Sequence, residues 1–243
     1  MALYGSVTRQ LQLNQSLSPM KLNLLKMSSA LLLVIVVLVL STVLCKEVDD
    51  MKLLEVATEL SSEVNCPVDQ YPGHPMHHGF TLRINYEWGL IGYDAQFSTV
   101  FVTFKKQFES RPLTPKISVL DTTLAEYPNC HNCKVNNAFY QYEQFILNEV
   151  QQDVHYFQTM YPHAALVFVG YSTGGAIATI AATDLCHIFE KLVLITIGSP
   201  RVGNAEFALY ASECISAVQR LTHGRDKIVH YPLSHSYYHI NGM

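Results

Sequence analysis

The chain has 243 residues, of which 49% are hydrophobic and 15% charged, and this balance excludes an intrinsically disordered protein. The net charge at neutral pH is −4, and no basic stripe is present that would neutralise phosphates, which excludes nucleic acid as an expected partner. Residues 46–243 contain no internal repeat or low-complexity linker, so we predict a single domain there.

The first 45 residues differ from the rest in charge and hydropathy. They contain three basic residues and no acid, and residues 30–40 are all apolar. A basic segment followed by an apolar run is typical of a secretory signal, whereas a membrane-spanning helix needs a run of about 20 apolar residues. We therefore predict a signal peptide or signal anchor at residues 1–45, with an ordinary transmembrane helix as the alternative. This segment implies a secreted protein or one in the lumen of the secretory pathway.

The first predicted elements of the body are a helix and two strands. The pattern predicts a helix over residues 51–64 and strands over residues 89–93 and 99–104, which are joined through a turn around Asp94. Residues 110–128 are interrupted by prolines and read as irregular. This stretch is either a lid over a binding site or an ordinary surface connection.

From residue 138 onward, helices alternate with continuous apolar runs. Apolar residues recur every three or four positions up to Tyr161, which predicts a long helix that Pro162 ends. Two short apolar runs follow at residues 164–169 and 192–197, with a small-residue helical stretch between them, and a further strand is predicted at residues 217–221. Continuous apolar strands connected by helices are typical of a parallel sheet covered on both faces. We therefore predict an α/β protein with a mainly parallel core.

The strongest chemical motif is Gly-Tyr-Ser-Thr-Gly at residues 170–174, which is G-x-S-x-G placed between a predicted strand and a predicted helix. Flanking glycines let the chain turn sharply enough to lift a serine hydroxyl out at the edge of the sheet. We predict Ser172 as a nucleophile and the Thr173 N–H as an oxyanion donor. The alternative is a structural turn in which small residues merely allow close packing.

Several further motifs occur in the same order as in one known family. They are Val-Thr-Phe at 102–104, Cys-His-Asn-Cys-Lys-Val at 130–135, Asn-Ala-Phe-Tyr at 137–140, Ile-Gly-Ser-Pro-Arg-Val-Gly-Asn at 197–204 and Thr-His-Gly-Arg-Asp-Lys-Ile-Val-His-Tyr-Pro at 222–232. With these motifs, the sequence from Gly89 to His239 resembles the fungal-type class 3 lipases. The resemblance implies an α/β-hydrolase fold, a serine esterase without cofactor or metal, a lipid or small-ester substrate, and transient contact with a lipid interface.

The resemblance also implies a triad acid and a missing base. Asp226 lies in the motif that holds the acid in the family, and its position after Ser172 fits the hydrolase order of serine, acid and histidine. In the family, the catalytic histidine comes much later than a histidine that follows an aromatic pair, as His239 does here. We therefore expect His239 to be a bystander, like the nearby His223, His230 and His235. We expect this chain, which stops at Met243, to lack the general base, to hydrolyse p-nitrophenyl esters poorly and to react slowly with fluorophosphonates.

The oxyanion loop departs from the family pattern. The family usually continues Phe-Arg-Gly-Ser/Thr, whereas this chain has Phe-Lys-Lys-Gln at residues 104–107. Lys106 replaces a glycine that often permits a backbone conformation costly for other residues. Gln107 stands where a hydroxyl usually assists, and we expect its backbone N–H to be the second oxyanion donor. Tyr171 and Thr173 stand where the family usually has histidine and leucine.

Five cysteines follow residue 45, an odd number that leaves at least one without a partner within the body. Cys130 and Cys133 are spaced like half of a zinc site, but no second pair follows, so we favour a local disulfide. Because relatives often tie an N-terminal cysteine to a C-terminal tail, we expect Cys66 to be unpaired, while the partners of Cys186 and Cys214 stay open. The histidines at positions 74, 77 and 78 are predicted to be solvated and to hold no metal.

Three hypotheses of function follow from the sequence. The first is a lipase-type carboxylic-ester hydrolase of lipid metabolism that uses Ser172. The second is an inactive lipase-like protein that binds lipid or a protein partner through the same pocket. The third is a truncated product without function.

Overall fold

The computed structural model describes residues 51–66, 80–107, 117–118, 120–189 and 191–241. The predicted signal at residues 1–45, the histidines at 74, 77 and 78, and most of residues 108–119 lie outside this part of the chain. The chain divides into units 1–52 and 53–243, and the fold and site below belong to the second. None of the described helices is long and apolar enough to cross a bilayer.

A six-stranded sheet with the order β1-β2-β3-β6-β7-β8 forms the centre of the fold. Its strands are β1 (Phe80–Asn85), β2 (Gly89–Asp94), β3 (Thr99–Phe104), β6 (Ala165–Tyr171), β7 (Leu192–Ile197) and β8 (Ala217–Leu221). The first three strands are antiparallel, and β3, β6, β7 and β8 are parallel to one another. The prediction of a mainly parallel core is therefore confirmed. The strand predicted at residues 217–221 is confirmed as well.

Helices cover both faces of the sheet. The helices are α1 (residues 51–65), α2 (Asn137–Met160), α3 (Thr173–Leu185) and α4 (Ala205–Cys214). Val102 and Phe168 pack in the cluster that contains α2 and α3, whereas Phe101 and Val167 pack with Leu60 of α1 on the opposite face. Alternate residues of one strand thus point to different helices, which is why these strands read as continuous apolar runs.

Two features of the fold depart from the predicted elements. The irregular stretch at residues 110–128 contains β4 (Leu124–Glu126), which pairs with β5 (Lys134–Asn136) in a small separate sheet. The sequence analysis also omitted β1 and α4. Strand β1 is a partly exposed edge strand, and only three residues of α4 are buried. Neither element therefore has a strong periodic pattern of apolar residues.

The topology determines where the functional residues lie. Strands β3, β6, β7 and β8 run in the same direction, so the segments that follow them emerge at one edge of the sheet, here called the carboxyl edge. In open α/β sheets, ligands bind in the crevice at this edge.

Candidate active site

Ser172 forms a sharp turn between β6 and α3. Its backbone has φ 55° and ψ −125°, and its side chain is only 3% exposed. Its N–H donates to the Ile197 carbonyl at 2.9 Å, and its own carbonyl accepts from the Gly175 N–H at 2.9 Å. Left-handed φ is costly for a residue with a Cβ, so surrounding contacts must hold this conformation.

The glycines on both sides of Ser172 are required by close backbone approach. A Cβ atom on Gly170 would lie 2.3 Å from the Gly174 carbonyl oxygen, and one on Gly174 would lie 2.4 Å from the Phe104 carbonyl oxygen. Both distances are far inside van der Waals contact. The predicted turn is therefore present, and α3 packs so closely against β3 and β6 that only glycine fits at either position.

Asp226 lies at the same carboxyl edge, after β8. Its Oδ1 accepts from the Ile228 N–H at 2.9 Å, and its Oδ2 faces Gly198, where a Cβ atom would lie 2.9 Å away. Gly198 itself has φ 58°, a conformation that glycine adopts at no cost. A cavity of about 570 Å³ is lined by residues that include Tyr171, Gly198, His223 and Asp226. The predicted acid thus shares this cavity with Tyr171, the residue next to Ser172.

The two predicted oxyanion donors also come together, through the side chain of Thr173. The Thr173 hydroxyl accepts from the Gln107 N–H at 2.8 Å and donates to the Gln107 carbonyl at 3.1 Å. The Thr173 N–H is the first of α3 and has no partner within the helix. The Gln107 N–H is therefore bonded to the Thr173 hydroxyl, and its role as an oxyanion donor stays a prediction.

Lys106 does not adopt the strained backbone that its place in the loop suggested. Among the described residues, the non-glycine residues with left-handed φ are Ser98, Asn132 and Ser172. The Lys106 N–H donates to Asn65 Oδ1 at 2.8 Å, and its ammonium lies 5.9 Å from the centre of the Tyr171 ring. The lysine is therefore accommodated without strain, and Asn65, which the sequence analysis did not single out, holds this loop.

His239 is bonded away from the predicted site. Its Nε2 donates to the Val229 carbonyl at 2.6 Å. Burial and the nearby positive charge of Arg220 lower the pKa of His239 to about 4. Within the described part of the chain, no hydrogen bond joins the Ser172 hydroxyl to a histidine. These contacts agree with the expectation that His239 is a bystander, and the catalytic roles of Ser172, Asp226, Thr173 and Gln107 stay predictions.

The structure joins four of the five body cysteines. Cys130 and Cys133 form the predicted local disulfide, with Cα atoms 5.3 Å apart. Cys186 and Cys214 form a second one that the sequence left open. Cys66 has no disulfide partner among the described residues, as expected. His187 lies beside the second pair, 3.4 Å from Cys214 Sγ, but both sulfurs there are already bonded to each other.

Two asparagines organise the edge around the site, although the motif analysis gave them no role. Asn136 Oδ1 caps α2 by accepting from the Ala138 and Phe139 N–H groups at 3.1 Å each. Asn204 Oδ1 accepts from the Phe207 N–H at 3.1 Å and thereby caps α4. Asn136 lies between two of the strings quoted above, and Asn204 ends another. Asparagine before an amphipathic stretch is a helix-start signal that would have identified them.

Comparisons with known proteins give one consistent likeness. A family model described as lipase (class 3) matches residues 102–236. The chain is 29% identical to the secreted mono- and diacylglycerol lipase A of Penicillium cyclopium, over 77% of this chain and 61% of that protein. It thus spans about three fifths of the length of that relative.

Two solved structures share the fold. The lipase of Rhizopus microsporus var. chinensis matches with a TM-score of 0.64 at 23% identity, over 77% of this chain and 71% of that one. A triacylglycerol lipase whose catalytic centre is described as a serine protease triad matches with a TM-score of 0.63 at 23% identity, over 78% and 77%. These likenesses confirm the predicted α/β-hydrolase fold.

Proposed function

The chain belongs to the class 3 lipase family, and we propose that it is a carboxylic-ester hydrolase with Ser172 as nucleophile and Asp226 as triad acid. The observation that carries the proposal is the turn at Ser172, where a buried serine holds a left-handed conformation at the edge that also carries Asp226. A strained turn between strand and helix is where α/β-hydrolases place the nucleophile.

The reaction proceeds by acyl transfer through the serine. Ser172 Oγ bonds to the ester carbonyl carbon while a histidine takes its proton, the alcohol then leaves, and water releases the acid from the acyl-enzyme. Asp226 orients and stabilises the protonated imidazole. The N–H groups of Thr173 and Gln107 stabilise the oxyanion, and the Gln107 N–H must exchange its bond to the Thr173 hydroxyl for one to the substrate.

We assign none of the described histidines as the general base. His239 is committed to the Val229 carbonyl, and the Ser172 hydroxyl has no histidine partner within the described residues.

We propose acylglycerols or related lipid esters as the substrate class, and a secreted or luminal location. The substrate is supported by the printed names of a mono- and diacylglycerol lipase and a triacylglycerol lipase among the similar proteins. The location is supported by the relative named as secreted and by the basic and apolar pattern of residues 1–45. A signal anchor in place of a cleaved signal stays an alternative for that segment.

Fluorophosphonate labelling of the full 243-residue chain tests the proposal directly. We expect one adduct, which peptide mapping places on Ser172. Ser172→Ala should abolish this adduct. Ser199→Ala is the matched control, because Ser199 is another buried serine beside Gly175 whose hydroxyl donates to the Pro200 carbonyl. It should retain the adduct, whereas an adduct that persists in Ser172→Ala, or no adduct at all, would contradict the proposal.

A further inference from the structure

A cavity of about 440 Å³ lies between α2 and the turn that joins β1 to β2. Four of the side chains that line it are aromatic, Tyr86 and Trp88 from the turn and Tyr142 and Phe145 from the helix. The Tyr86 N–H donates to the Gly89 carbonyl at 2.8 Å and closes the turn. The backbone that carries Tyr86 and Trp88 is therefore held in place before a ligand binds.

The aromatic rings form two pairs. Tyr86 and Trp88 stack with ring centres 5.0 Å apart and planes 8° from parallel, and the ring centres of Tyr142 and Phe145 are 6.5 Å apart. Trp88 and Tyr142 are buried, whereas Tyr86 is half-buried and Phe145 is 58% exposed. Each pair thus consists of a buried ring packed against an accessible one. The accessible rings are the ones that a ligand in the cavity would touch.

The described residues around this cavity carry negative charge. Glu87 and Glu149 line it, and none of the described residues that line it is basic. Glu149 Oε2 accepts from the Trp88 Nε1–H at 2.6 Å, and this neutral donor leaves the charge of the carboxylate in place. Burial, a hydrogen bond to Asp153 and the charges of Asp153 and Glu149 raise the pKa of Tyr86. The negative potential of these two carboxylates therefore acts at one of the accessible rings.

Aromatic rings beside a carboxylate favour a quaternary ammonium group over other cations. The face of an aromatic ring attracts a cation through its quadrupole, and the methyl groups of such a cation contact the ring directly. A primary ammonium or a metal ion would need several oxygen acceptors that converge on one point, but Glu149 Oε2 is already bonded to Trp88. A quaternary ammonium carries no N–H, so it needs only ring faces and negative potential.

From this arrangement we propose that the cavity binds a small soluble quaternary ammonium compound of the choline type. The cation lies against the rings of Tyr86 and Phe145, and the Glu149 carboxylate balances its charge. The cavity volume of about 440 Å³ is within the range of small-molecule sites. Ser172 is not among the described residues that line this cavity, so the inference does not depend on the proposed hydrolase.

Tryptophan fluorescence of the full 243-residue chain tests this proposal, because Trp88 is its only tryptophan and lines the cavity. We expect choline chloride to change the emission along a saturation curve. Dimethylbutanol, the uncharged carbon isostere of choline, and sodium chloride at the same ionic strength should give no saturable change. Equal saturation by dimethylbutanol, or no saturable response to choline, would overturn the proposal. So would a response to phosphatidylcholine vesicles without one to free choline, because the ligand would then be a lipid surface.

Substitutions at Phe145 test the contribution of the ring. Phe145→Leu should reduce the choline binding constant roughly fivefold, whereas Phe145→Tyr keeps a ring and should preserve the binding constant. Tyr156→Leu is the matched control, since Tyr156 is another exposed aromatic residue of α2 and does not line the cavity. Unchanged binding in Phe145→Leu, or an equal loss in Tyr156→Leu, would contradict the assigned position of the cation.

Glu149→Gln tests the contribution of the charge, because glutamine keeps an oxygen that accepts from the Trp88 Nε1–H. We expect the choline binding constant to fall roughly fivefold. Glu213→Gln removes the same charge from an exposed position on α4 and should leave the binding constant unchanged. Equal binding constants in these two variants would show that the Glu149 carboxylate does not balance the cation. Thermal unfolding confirms that each variant is folded.

Ser172→Ala separates this inference from the proposed function. It should bind choline as the unchanged chain does, although it takes no fluorophosphonate. Choline binding without Ser172 labelling would contradict the hydrolase and retain the cation site. Labelling without choline binding would do the reverse.

Discussion

At the scale of single residues, Thr173 links the oxyanion loop to the helix that begins at the nucleophile. Its hydroxyl bonds both the N–H and the carbonyl of Gln107, which lies 66 positions earlier in the chain. Thr173 is fully buried, so few alternatives exist for the two backbone groups if the hydroxyl is lost. A buried polar group without a partner destabilises the folded state, because it has lost the hydrogen bonds that water makes to it in the unfolded chain.

Thr173→Val removes this hydroxyl while it keeps the shape of the side chain. We expect the free energy of unfolding to fall by about 1–3 kcal/mol, because two backbone groups of Gln107 lose their partner. Urea unfolding measures this change. The control is Thr103→Val. Thr103 is also fully buried, but its hydroxyl has no hydrogen-bond partner among the described residues, so its removal should be neutral or stabilising. Equal losses in both variants would show that the Thr173 bonds contribute nothing.

At the scale of elements, helices α2 and α3 meet across a pair of acids, the buried Glu143 and the half-buried Asp184. Glu143 of α2 is fully buried, and its Oε2 accepts from Gln144 Nε2, which also donates to Asp184 of α3. The Tyr127 hydroxyl donates to the other oxygen of Asp184. Burial and the nearby Asp184 raise the pKa of Glu143 well above its ordinary value.

A pKa that is raised in the folded state makes the free energy of unfolding decrease with increasing pH. The folded chain binds a proton that the unfolded chain releases, so the free energy of unfolding falls as pH rises from about 4.5 through the folded pKa. Glu143→Gln keeps the shape without a titrating group. We expect its urea-unfolding free energy to decline less from about pH 5 to about pH 8 than that of the unchanged chain.

The exposed helical glutamate Glu213 provides the comparison for that experiment. Glu213→Gln makes the same chemical change at an exposed position, so the difference between the two variants isolates the effect of burial at Glu143. If the unfolding free energies of Glu143→Gln and Glu213→Gln depend on pH in the same way, Glu143 does not bind an extra proton in the folded chain.

At the scale of the whole molecule, the two disulfides close loops of very different length. Cys130 and Cys133 are 3 positions apart, whereas Cys186 and Cys214 are 28 apart and join the ends of α3 and α4. Helix α3 starts at the carboxyl edge and leads to the start of β7, so the second disulfide lies at the edge opposite the predicted site. It therefore acts on stability without touching Ser172.

A longer closed loop restricts the unfolded chain more. We expect the Cys186→Ser, Cys214→Ser double variant to lose about 3–4 kcal/mol of unfolding free energy, and the Cys130→Ser, Cys133→Ser double variant to lose less. Urea unfolding of both variants under oxidising conditions gives the comparison. A larger loss for the shorter loop would show that native contacts, rather than restriction of the unfolded chain, control the effect.

The sequence by itself determined the central strands, helices α1 to α3 and the turn at Ser172. Strands β3, β6 and β7 are buried on both faces and α2 on one, so their apolar residues follow the period of the element. The glycines at 170 and 174 identify a turn because close approach of the backbone excludes every other residue there. Each of these features is formed by residues that are close together in the sequence, so the sequence pattern identifies it.

Only the tertiary structure decided which distant residues meet. Glu143 and Asp184 lie 41 positions apart and show no joint pattern, and the link between Thr173 and Gln107 exists because α3 packs against the end of β3. The partner of Cys186 was undetermined for the same reason. The period of the apolar residues indicates which face of an element is buried. It does not indicate which residues cover that face, because the covering residues depend on how separate elements pack in the folded chain.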